Sequence, residues 1–214
     1  MRLLEKMVVG SRRVARHAAL YRKHDLLSML YLVRFGQFKL TAGELNEQRV
    51  AQFHMAGELM GLDAIATGRH NLGTIALESS EVYEIPFVAM VKAMRHEPAI
   101  QYYFLQAMSQ AINIEHGRSC LLAAPFLDQR FAGFLLRLGE KYARLGYSDK
   151  SYRLSMSRGE IGSYLGISIE SISRVIARFN AHGAVSISGR MVELRDRPYL
   201  QSLACGDSQF VRGK

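Results

Sequence analysis

The hydrophobic pattern of the chain changes character near Glu97. Before that residue, short apolar runs rich in Val, Phe, Tyr and Leu are separated by glycines, as in "LYLVRFGQFKLT" and "RVAQFHMAGEL". Short β-branched and aromatic runs that are divided by turn residues are typical of antiparallel strands. The first part of the chain, residues 1–96, is therefore predicted to form an antiparallel β-sandwich or barrel.

From Glu97 to Leu122 the apolar residues recur at helical spacing in two neighbouring stripes. The first stripe contains Ile100, Tyr103, Phe104, Ala107, Ala111 and Ile114, and the second contains Leu105, Met108 and Ile112. This pattern predicts one long helix with two apolar sides. One side can pack on the chain's own domain and the other on a second copy of the chain. The alternative is a helix that is buried entirely in one core.

Residues 124–200 have the pattern of a small second domain. It starts with an amphipathic helix that ends near Gly146 and has its apolar side at Phe131, Phe134, Leu135 and Leu138. Farther along, apolar residues on both sides of Ser188-Gly189 predict a hairpin, and a short final helix is predicted after Asp196.

Two short helices joined by a tight turn are predicted within "SRGEIGSYLGISIESISRVIARF", residues 157–179. Ser157 and Glu160 have the spacing of a capping box, which places the first helix at residues 158–165. Gly166 permits the sharp turn that follows, because glycine adopts the left-handed backbone conformation without strain.

The second helix is predicted over residues 169–182, with Ser168 as its cap. One side of this helix carries Ile169, Ile172, Val175, Ile176 and Phe179. The other side carries Glu170, Ser173, Arg174, Ala177 and Arg178. Two helices joined by a short turn, the second with a polar outer face, form the helix-turn-helix that places side chains in the major groove of DNA.

Three side chains on this outer face have base-reading chemistry. Arg174 can form two hydrogen bonds to guanine, Glu170 can accept one from cytosine, and Ser173 can bond to several bases. Each also has a simpler interpretation. Glu170 can be an acid placed in the first turn of a helix, Ser173 a neutral surface residue, and Arg174 an arginine paired with Glu170 one turn away. The three together favour DNA recognition.

Composition supports a polyanionic partner. The net charge is +9, divided nearly evenly between the two halves of the chain, which favours nucleic acid first and an acidic membrane surface second. The longest uncharged stretch is too polar to cross a bilayer, and the start of the chain does not have the pattern of a signal peptide. Two cysteines, Cys120 and Cys205, agree with a reducing compartment, so a cytoplasmic protein without a membrane partner is expected.

The sequence resembles the Crp/Fnr family of bacterial transcription regulators, and in particular its Fnr branch. The resemblance runs through "LYRKHDLLSMLYLVRFGQFKL", "FHMAGELMGLDAIATGRHNLGTIALESSEVYEIPF" and "LSMSRGEIGSYLGISIESISRVIARFNAHGAV". Its most specific part is the E-x-x-S-R pattern at Glu170, Ser173 and Arg174, where the Crp branch has R-E-x-x-x-R.

The resemblance implies an α+β fold with three parts. These are a cyclic-nucleotide-binding-type β-roll over residues 1–96, a dimerisation helix over residues 97–122, and a winged helix-turn-helix over residues 124–200. It also implies a homodimer that binds a palindrome near TTGAT-N4-ATCAA and acts with RNA polymerase.

The resemblance also implies roles for individual residues. Arg174 and Glu170 would read the central G·C pair of each half-site, and Arg158 would contact a phosphate. Ser168 and Arg178 are assigned as further phosphate contacts. The loop "AGELNEQR", through which family members touch the polymerase, departs from the Fnr pattern at Leu45 and Asn46.

Other departures concern what switches the protein. Fnr holds a [4Fe-4S] cluster on four cysteines, but here Tyr83 stands at the position of the fourth, and residues 1–30 contain no cysteine. We therefore expect no iron–sulfur cluster. The cyclic-AMP pocket of the family needs a Glu where this chain has Leu62, followed by an Arg-Ser pair that is absent, so we expect no cyclic-AMP binding.

Three alternatives remain open. A haem sensor of the same family would use His70 or His54 as an iron ligand. A thiol enzyme would use His116 and Cys120, which are four residues apart on the long helix, as base and nucleophile. The helix-turn-helix could also serve protein contacts only, although two arginines one turn apart on its outer face argue against this.

Overall fold

A computed structural model describes residues 7–43 and 48–206 of the chain. These residues form two compact units that divide between Ile114 and Glu115. In the part of the chain that the structure describes, no helix is both long enough and apolar enough to cross a membrane. The polymerase-loop positions Leu45 and Asn46 lie outside the described residues.

The first unit contains two four-stranded antiparallel sheets. Its strands are Gly10–Val14 (β1), Ala19–Tyr21 (β2), Met29–Phe35 (β3), Gln37–Ala42 (β4), Arg49–Met55 (β5), Leu59–Met60 (β6), Gly73–Ala76 (β7) and Ser80–Pro86 (β8). The strand order is β1-β8-β3-β6 in one sheet and β2-β7-β4-β5 in the other. Apolar side chains such as Val33, Phe38, Leu40 and Val82 form a buried cluster in this roll. The predicted β-roll is confirmed.

A second apolar cluster of this unit packs two helices on the roll. The helices are Phe87–His96 (α1) and Pro98–Ala123 (α2), and the cluster joins Leu30 and Ile85 to Met90, Ile100 and Phe104. The assignment of residues 1–96 to strands alone was wrong for α1. Its ten residues begin without a side-chain cap, and Met90 is its one fully buried side chain, so neither signal of a helix is strong.

The long helix α2 has the two apolar sides that its sequence predicts. Ile100 and Phe104 are buried against the roll, whereas the other side exposes Tyr102, Leu105, Met108 and Ile112. The alternative of a helix buried entirely in the core of one chain is therefore wrong.

The second unit contains the remaining elements. They are Leu127–Arg144 (α3), Ser151–Arg153 (β9), Arg158–Leu165 (α4), Ile169–His182 (α5), Val185–Ser188 (β10), Met191–Leu194 (β11) and Arg197–Cys205 (α6). The three strands form a small antiparallel sheet in the order β10-β11-β9. The predicted helix pair, hairpin and final helix are confirmed, which completes the α+β winged helix-turn-helix architecture.

Candidate nucleic-acid interface

The first helix of the pair, α4, starts at a complete capping box. Ser157 Oγ accepts a hydrogen bond from the Glu160 N–H at 3.2 Å, and Glu160 Oε2 accepts one from the Ser157 N–H at 2.6 Å. Two backbone donors that a helix start leaves without partners are thereby satisfied. The sequence thus fixes locally where α4 begins.

Two glycines shape the turn between α4 and α5. Gly166 ends α4 with φ at 66°, in the left-handed region that glycine tolerates. Gly162 lies so close to the turn that a Cβ atom there would be 2.6 Å from the Ile167 carbonyl oxygen. The turn can lie this close to α4 only because position 162 has no side chain.

Helix α5 rests on an apolar side that is nearly as predicted. Ile172, Val175, Ile176 and Phe179 are buried, but Ile169 is 51% exposed. Ile169 is the first residue of the helix and lies beyond the edge of the core, so its assignment to the buried side was wrong. The outer face of α5 therefore begins with an exposed apolar side chain beside its polar ones.

Of the proposed base-reading residues on α5, Glu170 and Arg174 are exposed and Ser173 is half-buried. Ser173 Oγ donates to the Ile169 carbonyl oxygen at 3.0 Å, and Arg158 Nη1 lies 3.5 Å from the same hydroxyl. Arg174 Nη2 donates to Ser171 Oγ at 3.2 Å. The structure thus brings Arg158 of α4 next to the middle of α5, so that residues from both helices form one polar surface.

The carboxylate of Glu170 favours its charged form. The pKa of Glu170 lies below its ordinary value because the carboxylate accepts hydrogen bonds from its own backbone N–H and from Ser168, with a smaller contribution from the charge of Arg174. An ionised carboxylate can accept a hydrogen bond from cytosine N4 but cannot donate one to guanine O6. Ser168 also caps α5, since its Oγ accepts from the Ser171 N–H at 3.2 Å.

Arg178, assigned as a phosphate contact, has a partner within the protein. Its Nη2 donates to Asp128 Oδ1, and its Nε donates to Asp128 Oδ2 at 3.2 Å. Asp128 lies in the first turn of α3, fifty residues earlier in the chain. No sequence pattern announced this pair, because the packing of α3 on α5 brings the two residues together.

Two arginines that the sequence did not single out hold the turn in place. Arg130 Nε donates to the Ala124 carbonyl oxygen at 2.8 Å, and its Nη1 donates to the Leu165 carbonyl oxygen at 3.3 Å. Arg118, near the end of α2, lies over the ring of Tyr164 at 5.3 Å. The end of α2 is therefore attached to the end of α4.

The hairpin β10–β11 is attached directly to α5. Asn180 Oδ1 accepts from the Ile187 N–H at 2.8 Å, and Asn180 Nδ2 donates to the Ile187 carbonyl oxygen at 3.1 Å. Arg190, at the tip of the hairpin, donates from Nη1 to the Ser155 carbonyl oxygen at 3.2 Å. A side chain on the outer helix thus fixes the wing beside it.

In the first unit, the side chains at the expected iron–sulfur and cyclic-nucleotide positions contact other parts of the fold. Tyr83, at the fourth cluster position, has its ring 5.5 Å below the guanidinium of Arg34. Leu62 packs partly buried against the apolar cluster that joins α1 and α2 to the roll. Both side chains therefore make contacts within the first unit.

The two candidate haem ligands are buried. His70 is 2% exposed and stacks on Tyr21 with ring centroids 3.8 Å apart, and its Nδ1 lies 3.4 Å from Asp63 Oδ1. His54 Nδ1 lies 3.3 Å from Glu58 Oε2. Among residues 7–43 and 48–206, no group of three or more His, Cys, Asp and Glu side chains could hold a metal ion.

The candidate thiol pair lies on the long helix. His116 and Cys120 both belong to α2, in the portion that is part of the second unit, and Cys120 is exposed. Glu115, the nearest acid along the chain, pairs with Arg118 at 3.3 Å. That carboxylate is therefore engaged by an arginine of the same helix.

Comparison with known proteins covers both units. The family described as "Crp-like helix-turn-helix domain" matches residues 129–203, and the family described as "Cyclic nucleotide-binding domain" matches residues 11–97. The structure is similar to that of FixK2 from Bradyrhizobium japonicum, with a TM-score of 0.81 at 22% identity over 91% of this chain and 96% of that one. This likeness supports the fold.

Two relatives extend the comparison to nearly the whole chain. The transcriptional regulatory protein btr of Bordetella pertussis is 38% identical over 94% of this chain and 83% of that protein. The fumarate and nitrate reduction regulatory protein of Escherichia coli (strain K12) is 32% identical over 94% of this chain and 81% of that protein. These relatives are transcription regulators rather than enzymes. The chain belongs to the Crp/Fnr family of DNA-binding transcription regulators.

Proposed function

We propose that a homodimer of this chain recognises an Fnr-like palindrome near TTGAT-N4-ATCAA, with α5 in the major groove. The observation that carries the proposal is the outer surface of α5, where half-buried Ser173 lies beside exposed Glu170 and Arg174, just after the cap at Ser168. The ionised carboxylate of Glu170 and the guanidinium of Arg174 match the donor and acceptor pattern of a G·C pair. Ser173 borders the same surface and adds a hydroxyl that can serve either base.

Phosphate contacts would position the reading helix. Arg158 lies at the start of α4, close to Ser173, so its guanidinium can reach the backbone of the strand that α5 reads. Ser168 lies at the start of α5, where backbone N–H groups and the helix dipole favour an anion. Arg178 lies farther along α5 and would extend the same line of contacts.

A second copy of the chain would cover the exposed side of α2. Its apolar residues Leu105, Met108 and Ile112 are spaced three and four residues apart, as the seam of a two-stranded coiled coil requires. Two recognition helices related by a two-fold axis match a palindromic site. Contact with RNA polymerase is proposed on family membership alone.

We further propose that DNA binding is independent of an iron–sulfur cluster and of cyclic AMP. Tyr83 stacks under Arg34 where the family's cluster needs a thiolate, and phenol is a poor substitute for the fourth cysteine. Leu62 offers an apolar side chain where the cyclic-nucleotide pocket needs a carboxylate. The haem alternative has less support, since His70 is engaged by Tyr21 and Asp63. The thiol-enzyme alternative has less support because Glu115 pairs with Arg118.

The test is fluorescence anisotropy of the purified protein, in air and without added ligand, against the TTGAT-N4-ATCAA duplex and a scrambled duplex. We expect specific binding that falls with salt. Equal binding to both duplexes would contradict the proposed sequence preference or the independence from an effector. The search for an effector would then begin at the cavity of about 200 Å³ lined by Gln52, His54, Tyr103 and Gln106.

A further inference from the structure

The ion pair between Asp128 and Arg178 places a negative charge against an arginine of the proposed DNA-binding surface. The guanidinium uses two of its nitrogen atoms, Nε and Nη2, to bind both carboxylate oxygens. Both partners keep contact with solvent, because 54% of the Arg178 side chain and 31% of the Asp128 side chain are exposed. The pair is therefore accessible to an approaching phosphate.

Packing beneath the pair holds the two residues within reach of each other. Phe131, one turn after Asp128 on α3, contacts Phe179, the neighbour of Arg178 on α5, with ring centroids 5.6 Å apart. Both rings are buried in the core of the second unit. The helix surfaces that carry the pair are thus fixed by the core, which keeps the two side chains within reach of each other.

We propose that Asp128 competes with the DNA backbone for Arg178 and so lowers the affinity of the protein for DNA of any sequence. An arginine that binds phosphate releases a condensed counterion and gives the complex part of its salt dependence. An arginine neutralised by a carboxylate contributes much less of either, and the carboxylate repels nearby phosphates. Asp128 thereby sets overall affinity while leaving base reading to Glu170 and Arg174.

This inference rests on the proposed function, because it assumes that the outer face of α5 binds DNA. The test compares wild type with Asp128→Asn, which keeps the shape of the side chain but removes its charge. We expect Asp128→Asn to bind both the palindrome and the scrambled duplex roughly tenfold more tightly at about 0.1 M salt. The ratio between the two duplexes should stay the same.

The salt dependence gives an independent readout. The slope of log K against log salt should become steeper by about 0.9 for each released arginine, hence by about 1.8 for a dimer. The double variant Asp128→Asn/Arg178→Ala should lose the gain in affinity and slope of the single variant, because the released guanidinium is no longer there. Glu140→Gln removes the same charge from α3 about 18 Å farther along the helix, beyond the screening length, and should change little.

Asp128→Ser is a second variant, which keeps a small polar side chain in the first turn of α3 but has no charge. If wild type binds the palindrome specifically but both Asp128 variants bind DNA no more tightly, the competition is overturned, and the pair only joins α3 to α5. If neither the wild type nor the variants bind either duplex, the proposed function fails and this inference fails with it.

Discussion

The polar cluster inside the β-roll and the polar face of α5 use similar residue types in opposite ways. In the roll, Asp63 Oδ2 accepts from the N–H groups of Asn71 and Leu72 at 2.8 and 3.1 Å, next to the buried ring of His70. On α5, Glu170 and Arg174 are exposed on a helix whose caps and core contacts hold the backbone. A half-buried carboxylate that is bonded within the fold, such as Asp63, stabilises the fold, whereas an exposed one on a fixed backbone, such as Glu170, is available to a ligand.

The two carboxylates also differ in why they ionise. Burial opposes the ionisation of Asp63, but hydrogen bonds from His70 and from the N–H groups of Leu72 and Asn71 more than offset it, so the pKa of Asp63 lies below its ordinary value. The pKa of Glu170 is lowered chiefly by hydrogen bonds from its own N–H and from Ser168. The pKa of Asp63 is thus set by contacts within the roll, and that of Glu170 by the first turn of its own helix.

The largest expected effect lies on the exposed side of this comparison. Arg174→Ala should cost about 1 to 3 kcal/mol of binding to the palindrome per half-site, hence about 2 to 6 kcal/mol for a dimer, because two hydrogen bonds to guanine are lost in each. Anisotropy with the palindrome and with duplexes altered at that guanine measures the loss.

Arg158→Ala is the matched control, since it removes an equal charge from a proposed phosphate contact. It should weaken binding to all sequences alike and flatten the salt slope. Equal loss on specific and scrambled DNA for Arg174→Ala would remove its base-reading role.

The second largest effect is expected at Asp63 in the β-roll. Asp63→Asn should lower the free energy of unfolding of the first unit by about 1.5 to 3 kcal/mol at pH 7, because hydrogen bonds to a charged group are lost. Hydrogen exchange of β7 amides measures it. Asp25→Asn, at an exposed carboxylate that accepts from the Arg22 N–H at 2.8 Å, should cost less.

The same pair of proteins gives a pH test. The pKa of Asp63 in the folded state lies below 3.8, so its contribution to stability is fully present above that value and is lost as the pH falls through the folded pKa. The difference between wild type and Asp63→Asn should stay constant near neutrality and shrink below about pH 4. A constant difference down to pH 3 would contradict the role of its charge.

A smaller effect tests how rigidly the exposed face is held. Gly162→Ala should destabilise the helix pair by about 1 to 3 kcal/mol, because its Cβ would meet the Ile167 carbonyl oxygen, a backbone atom that cannot rotate away. Exchange of amides in residues 158–182 reports it. Gly159→Ala, whose Cβ would have its nearest neighbour at 3.8 Å, should be neutral or slightly stabilising. Similar losses of stability for both variants would contradict the role of the close contact with Ile167.

The smallest effect concerns the cap. Ser157→Ala should cost about 1 kcal/mol of local stability at α4, since the Glu160 N–H loses its acceptor. Opening of α4 by hydrogen exchange measures it, with Ser151→Ala on β9 as the control. If the cap variant exchanges like wild type, the capping box is not what fixes the start of the helix.

Local signals made the second unit easy to predict. Ser157, Gly166 and Ser168 determine where α4 and α5 begin and where α4 ends, and each acts on residues only a few positions away. Helix α1 was missed because it lacks a cap and buries little, so nothing local distinguished it from a strand. The orientation of Ile169 depended on where the core ends, which helical spacing does not reveal.

Long-range contacts could not be predicted from the sequence, for a different reason. Asp128 and Arg178 are fifty residues apart, and Arg130 bonds to Leu165 across thirty-five. In the sequence, Asp128 and Arg130 are ordinary charges of an amphipathic helix, and Arg178 was assigned only a phosphate contact. Such pairs exist only after the helices have packed, so the base-reading set could be proposed from one helix, whereas its supports required the fold.

The contacts that frame the helix-turn-helix have a consequence for how sequences of this kind can diverge. Arg130, Asn180 and Arg190 each donate from a side chain to a backbone carbonyl oxygen, at Leu165, Ile187 and Ser155. Every residue type supplies that oxygen, so these bonds survive substitution of the accepting residue but not of the donor. The turn and the wing can therefore change in sequence while three donor positions preserve the geometry.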